Sequence, residues 1–176
     1  MIFTALPPAG AFLIDLEPLG DHRGLFARTF CVREFAAHGL VTDYVQCNTS
    51  YNARLGTLRG MHYQEIPHPE VKIVRCTRGR ILDVILDLRP ASATFKTTAA
   101  IELSAENRKM LYVPAGFAHG FQTLENDTEV FYQMSDFYVP ELARGVRWND
   151  PAFGITWPIF PPIVSDRDAG YTDFDA

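Results

Sequence analysis

Between Arg78-Gly79 and Pro90 the chain reads Arg80-Ile81-Leu82-Asp83-Val84-Ile85-Leu86-Asp87-Leu88-Arg89. Alternation sorts these residues onto two faces, with Leu82, Val84, Leu86 and Leu88 on one and Ile81, Asp83, Ile85 and Asp87 on the other. A period of two, closed by Gly and Pro, marks a strand, because successive side chains of an extended backbone point to opposite sides of a sheet. One face is fully apolar and the other only half so. That pattern is expected of the wall of a sandwich or barrel with a polar interior site.

Similar short runs at residues 11–16, 25–30, 43–48, 71–76, 97–103, 109–113, 117–124 and 128–134 are separated by Gly, Pro or Asn. Spacing of roughly 8–15 residues argues for an antiparallel all-β sandwich or barrel. One stretch, residues 32–38, reads as a short helix stopped by Gly39. No repeat, low-complexity tract or linker interrupts the chain, so one domain over residues 1–176 is expected. The proline-rich stretch Trp157 to Pro162 is expected to run extended over the surface.

Composition then narrows the function classes. A chain of 176 residues with 47% hydrophobic and 21% charged residues can build a real core and is not a disordered segment. Its 16 Lys+Arg against 21 Asp+Glu leave a net charge of -5, so a polyanion has to be held by a local basic patch, and nucleic acid is not expected as a partner. No apolar stretch approaches the ~18 residues of a membrane span, so no membrane partner is expected. Met1-Ile2-Phe3-Thr4 lacks the basic flank of a secretory peptide, and Cys31, Cys47 and Cys76 are odd in number and widely spaced. Both features suggest a cytoplasmic protein with reduced thiols and no cysteine zinc site.

Pro114-Ala115-Gly116-Phe117-Ala118-His119 sets a histidine near the start of a strand behind a tight turn. This P-x-G-x-x-H pattern resembles the second motif of the cupin superfamily of double-stranded β-helix jelly rolls. In metal-binding cupins that histidine joins an H-x-H pair, because a divalent ion needs three or four converging ligands. Here the earlier strand offers His62-Tyr63-Gln64, the second ligand is missing, and no metal is expected. His119 by itself reads either as a ligand contact or as a satisfied core histidine.

Alternation places His62 with Leu58 and Gly60, and Arg59 on the opposite face, so the two can serve one ligand only if the strand kinks or ends near Gly60. Lys72 shares parity with Val74 and Cys76. It is either a side chain snorkelling to an edge or an electrophilic partner in an enclosed site. Tyr132 shares parity with Val130 and Met134 and is either a plain core tyrosine or one whose hydroxyl has an interior task.

A wider resemblance rests on nine segments in order: Asp21 to Phe26 (DHRGLF), Gln46 to Ser50 (QCNTS), Leu58 to Gln64 (LRGMHYQ), Lys72 to Arg75 (KIVR), Asp83 to Arg89 (DVILDLR), Pro114 to Phe121 (PAGFAHGF), Tyr132 with Tyr138 to Glu141 (YVPE), Trp148 to Pro151 (WNDP), and Ser165 to Asp168 (SDRD). Nearly end to end, the chain resembles the nucleotide-sugar 3,5-epimerase family, typified by dTDP-4-dehydrorhamnose 3,5-epimerase. The resemblance implies a cupin-type jelly roll that inverts C3 and C5 of an NDP-4-keto-6-deoxyhexose by deprotonation and reprotonation beside the C4 ketone.

By the same resemblance His62 matches the general base, Asp168 the carboxylate that orients it, Lys72 the cation near the ketone oxygen, and Tyr132 the acid that returns a proton from the opposite ring face. His119 matches a further substrate contact. Arg23 and Arg59 match diphosphate contacts, Tyr138 the ring that stacks on the base, and Gln46 and Asn48 polar contacts to the ligand. No cofactor is implied, and a homodimer is. Arg28, Ala143 and Arg167 stand where the family usually has Glu, Glu and Lys, and Arg167 is carried over as a substrate contact. The alternatives are a C3-only epimerase, a metal-dependent cupin and a noncatalytic nucleotide-sugar-binding cupin.

Overall fold

The computed structural model describes residues 1–174. Within them the chain forms β1 (Ile2–Ala5), β2 (Phe12–Asp15), β3 (Leu19–Asp21), β4 (Gly24–Phe26), α1 (Val32–Ala37), β5 (Gln46–Asn52), β6 (Leu58–Gln64), β7 (Lys72–Arg78), β8 (Arg80–Asp87), β9 (Thr98–Ser104), β10 (Met110–Val113), β11 (Phe117–Thr123), β12 (Thr128–Met134), β13 (Ala143–Gly145) and α2 (Asp166–Ala169). A six-stranded sheet, β1-β2-β10-β7-β12-β5, faces a five-stranded one, β13-β6-β11-β8-β9, and β3 and β4 make a separate hairpin. Strand pairing is antiparallel. The architecture is the all-β jelly roll expected, with two short helices.

The alternation in β8 has a direct structural reading. Ile81 and Ile85 pack between the sheets with Val74 and Cys76 of β7, Phe117 and Phe121 of β11, and Val130 of β12. Val84 and Leu86 point the other way, under Val146 and Phe153 of the C-terminal segment. Both faces of β8 are therefore covered, and the half-polar one is the interior. On the far side of the six-stranded sheet, Phe35 of α1 packs on Ile14, Ile73, Met110 and Tyr112. Gly39 ends this helix at φ +69 while its N–H reaches the Ala36 carbonyl at 3.0 Å, the left-handed stop that a glycine makes cheaply.

Two expected runs differ in extent. Residues 43–48 mark a strand that starts at Gln46 and continues to Asn52, because it follows β12 in register from Met134 to Thr128. Its polar, half-exposed edge position conceals it from a hydrophobic pattern. The run at 25–30 ends as β4 at Phe26, opposite Leu19; Pro18 precedes Leu19 and has no N–H to extend the ladder.

The proline-rich segment runs along the body and is fastened to it. The buried Gln122 side chain exchanges two hydrogen bonds with the Ile159 backbone, at 2.8 and 3.0 Å. The Leu58 N–H donates to the Ile163 carbonyl at 2.8 Å. These bonds bring α2 against β6.

The feature that shapes the interior is a bulge in β6. His62 lies opposite His119 while Arg59 lies opposite Phe121, so three steps on β6 match two on β11. Gly60 carries the bulge at φ +143, and a Cβ there would lie 2.6 Å from the Gly120 Cα. A Cβ on Gly120 would in turn sit 2.8 Å from the Arg59 carbonyl oxygen. The two glycines let the strands approach where no side chain fits. Gly60→Ala is expected to destabilise the fold by about 2–4 kcal/mol, combining strain with the backbone clash. Gly24→Ala, at φ +127 with nothing within 4 Å of the added Cβ, should cost only the strain, about 1 kcal/mol. Urea denaturation of both variants checks the difference, and equal losses would mean the Gly60–Gly120 contact is unimportant.

Candidate active site

Between the sheets lies a cleft of about 310 Å³, lined among others by Gln46, Asn48, His62, Glu70, Lys72, Tyr132, Tyr138, Ala143 and Arg167. An adjoining space of about 250 Å³ shares His62, Lys72 and Tyr132 and adds Ser50, Arg59, His119 and Phe121. The bulge is the reason Arg59 and His62 line one cavity. It resets the alternation between them, which meets the geometric condition that the sequence placed on this strand.

His62 Nε2 lies 2.7 Å from Asp168 Oδ1. The other oxygen of Asp168 accepts the Gly60 N–H at 3.2 Å, so the bulge also anchors the carboxylate. Ser165 Oγ caps α2 by accepting the Asp168 N–H at 3.1 Å. Asp168 is 4% exposed. Burial pushes its pKa up, but the His62 hydrogen bond and charge, the Gly60 N–H and the nearby Arg167 outweigh it and hold the group below the ordinary carboxylate value. An ionised carboxylate only accepts, so Nε2–H of His62 is the donor in this pair.

On the opposite wall, Lys72 Nζ is 2.6 Å from Glu70 Oε1, with both side chains nearly buried. The Tyr132 phenol is raised above its usual pKa, first by burial and next by the charge of Glu70, so it stays protonated. His62 on β6 and Tyr132 on β12 thus belong to facing sheets. His119, also nearly buried, aims Nε2 at both oxygens of the fully buried Asp83, at 2.9 and 3.1 Å.

Arg59 donates from Nε to Asn52 Oδ1 at 2.7 Å, and Asn52 is buried. Gln46 donates to Asn48 Oδ1 at 3.2 Å and accepts the Tyr138 N–H at 3.2 Å, which ties the exposed Tyr138 to the cleft mouth. Arg167 donates to the Tyr171 hydroxyl at 3.1 Å. Of the residues singled out in the sequence, Asp168 stands behind His62 without itself lining the cavity, and Arg23 lies outside the site altogether. It sits on the β3–β4 hairpin, 78% exposed and paired with Asp21 at 2.6 Å. Arg28 is bound to Glu34 at 2.8 Å, and Glu34 also holds the N-terminal ammonium.

The residues that sequence reasoning missed are the partners. Asp83 was signalled by its place on the half-polar face of β8. Glu70 stands two residues before Lys72, on the same parity of an extended segment. Ser165 and Asp168 have the S-x-x-D spacing of a helix start. Asn52 gave no signal, since the run read from the sequence stops at residue 48 and the strand continues to 52. Among the described residues no group of three or more His, Cys, Asp or Glu side chains is arranged to hold a metal ion.

An imidazole–carboxylate pair on one β wall of a jelly roll, opposite a lysine and a phenol on the other, is a set of groups able to accept and return protons. A sequence model of dTDP-4-dehydrorhamnose 3,5-epimerase matches residues 5–176. The enzyme of that name from Sinorhizobium fredii is 42% identical over 170 residues, covering 96% of this chain and 87% of the relative. A crystal structure of the Bacillus anthracis enzyme with TDP and pyrophosphate superposes with a TM-score of 0.95 at 38% identity, covering 98% of this chain and 99% of that one. ChmJ, a 3'-monoepimerase from Streptomyces bikiniensis solved with dTDP-quinovose, gives a TM-score of 0.88 at 34% identity, covering 96% and 85%. The chain belongs to the dTDP-4-dehydrorhamnose 3,5-epimerase family and is an epimerase.

Because Asp168 is held ionised in the fold, its contribution to stability is complete above the ordinary carboxylate range and is lost as pH falls through the lowered value. Asp168→Asn is expected to lower stability at neutral pH by about 1–3 kcal/mol and to make the loss of stability on acidification shallower. Denaturation midpoints measured across pH 3 to 7 check both; an unchanged acid slope would show that Asp168 is not the group responsible.

Proposed function

We propose that the chain, as one catalytic unit over residues 1–176, inverts C3 and C5 of dTDP-4-dehydro-6-deoxyglucose or a close nucleotide-sugar relative. The observation that carries this is the placement of His62 and Tyr132 on facing walls with Lys72 between the two cavity lobes. His62 Nδ1 takes the proton from a carbon next to the C4 ketone. The C–H electron pair enters the bond to C4, and the carbonyl pair moves onto O4, where Lys72 stabilises it. Asp168 supports the imidazolium formed. Tyr132 returns a proton from the opposite ring face, which inverts the carbon, and His119, positioned by Asp83, contacts the sugar. The bond changes are proton transfers alone, so the reaction draws on no cofactor.

Arg59 and Arg167 serve the nucleotide end with Gln46 and Asn48, and Tyr138 stacks on the base. The free thiols of Cys31, Cys47 and Cys76 fit work in the cytoplasm. No helix among the described residues is long and apolar enough to cross a membrane.

Incubation with the 4-keto sugar in D2O should place deuterium at C3 and C5. His62→Ala should lower exchange about 10²- to 10⁴-fold, the range for a general base, while dTDP binding by calorimetry is retained. Exchange at wild-type rate in that variant would remove His62 from the role, and deuterium confined to C3 would select a 3-epimerase.

The position of Arg23 favours a homodimer in which each hairpin serves the other subunit. Leu19 and Phe26 on that hairpin are 72% and 71% exposed, more apolar surface than a free hairpin carries comfortably. A neighbouring copy seated there brings Arg23 to the diphosphate. Arg23→Ala and His62→Ala chains, each inactive alone, are then expected to recover roughly a quarter of wild-type turnover when co-refolded in equal amounts, since half the dimers are mixed and each holds one intact site. No recovery would place Arg23 in its own subunit's site, and full activity of Arg23→Ala alone would place it outside any site.

A further inference from the structure

Glu70 has no part in the steps above, yet its side chain is only 8% exposed and it lines the cleft beside Lys72. Its Oε2 has no hydrogen-bond donor among the described residues. A buried carboxylate oxygen left unpaired is costly, so in a ligand cleft it points to a donor that the ligand supplies. Oε1 lies 2.6 Å from Lys72 Nζ. Ammonium and carboxylate therefore stand side by side on one wall, as their spacing of two residues along an extended chain allows.

The proposed substrate offers a complementary pair. With Lys72 at O4, the only hydroxyl on a carbon adjacent to C4 is that of C3, because C5 carries the ring oxygen and the methyl group. We propose that Glu70 accepts a hydrogen bond from the C3 hydroxyl, so that Lys72 and Glu70 together read the hydroxyketone unit. This rests on the epimerase function proposed above.

The contact distinguishes the two inversions. When the C3–H bond breaks, the proton goes to His62, the electron pair forms the C3–C4 double bond, and the carbonyl pair moves to O4. The C3 hydroxyl is then an enol hydroxyl, a stronger donor than the alcohol it was, and its bond to an anionic acceptor strengthens as the transition state forms. When C5 is deprotonated the double bond lies between C4 and C5, C3 stays tetrahedral, and its hydroxyl gains nothing. Glu70 is thus a catalytic residue for the C3 step. Its own charge is already compensated by Lys72.

The test uses Glu70→Gln, which keeps the size of the side chain and an acceptor for Lys72, and Glu70→Ala. Exchange in D2O is followed by NMR at C3 on the 4-keto sugar and at C5 on the sugar already inverted at C3, so that C5 does not wait on the first step. The expected result for both variants is a fall of about 10- to 100-fold at C3, the worth of one charge-assisted hydrogen bond, with C5 changed by about twofold or less. Equal slowing at both carbons, or no slowing at C3, overturns the proposal. Binding gives a readout that needs no turnover. The wild type should bind dTDP-quinovose more tightly than its 3-deoxy counterpart, and Glu70→Ala should abolish that difference. Persistence of the difference in Glu70→Ala overturns the contact, whereas absence of exchange in the wild type with the binding difference abolished rejects the epimerase function and leaves the contact standing.

Discussion

The approach of Gly60 to Gly120 is the constraint on which the rest of the cavity depends. It lets β6 take an extra residue against β11, and that extra residue brings Arg59 and His62 into one cavity. It also aims the Gly60 N–H at Asp168, the carboxylate that sets which nitrogen of His62 is free. One local departure from alternation thus fixes an arginine, a histidine and the carboxylate paired with that histidine together. A regular strand would have turned Arg59 away from His62, and no choice of side chains elsewhere would compensate for that.

Each sheet contributes a different kind of chemistry. The five-stranded sheet carries two histidines opposite one another, with Asp83 on β8 behind His119 and Asp168 on α2 behind His62. The six-stranded sheet and the segment leading into it carry the ammonium of Lys72, its partner Glu70, and the Tyr132 phenol. The lysine, the two histidines and their carboxylates are therefore each matched with a partner close by, which offsets the cost of taking charge out of water. Pairing also limits motion, because a side chain held at one end by a carboxylate presents its other end in a defined direction. That is the property a proton-transfer site needs most.

The strands and the enclosed polar interior were legible in the sequence because β8 records both of its environments in its alternation. The short helix was legible too, through the glycine that stops it. What could not be read was where alternation fails. Gly60 marked the place at which β6 had to kink, but the size of the kink depends on Gly120, which is distant in sequence and becomes a neighbour only across the sheet. The partners of the site escaped for the same reason. Asp83 and Glu70 are ordinary acidic residues until the fold sets one against His119 and the other against Lys72. Arg23 shows the converse: a motif can be recognised with ease while a single chain leaves its arginine far from the cavity its neighbours line.

The negative total charge and the task of holding a diphosphate are reconciled by the way acidic groups are used. Glu34 binds Arg28 and the N-terminal ammonium, Asp87 binds Arg89, and Glu70 binds Lys72. Arg59, in contrast, is held by the neutral Asn52, and Arg167 by the Tyr171 hydroxyl. A guanidinium positioned by a neutral group offers a ligand its full charge, whereas a cation positioned by a carboxylate offers a weaker field beyond the pair. The choice of amide and phenol over carboxylate at these two positions therefore makes the cleft locally cationic in an acidic protein. It also separates the two arginines proposed for the phosphates from the lysine proposed for the ketone: Lys72, alone of these three, is paired with an acid, and the second oxygen of that acid has no donor among the described residues.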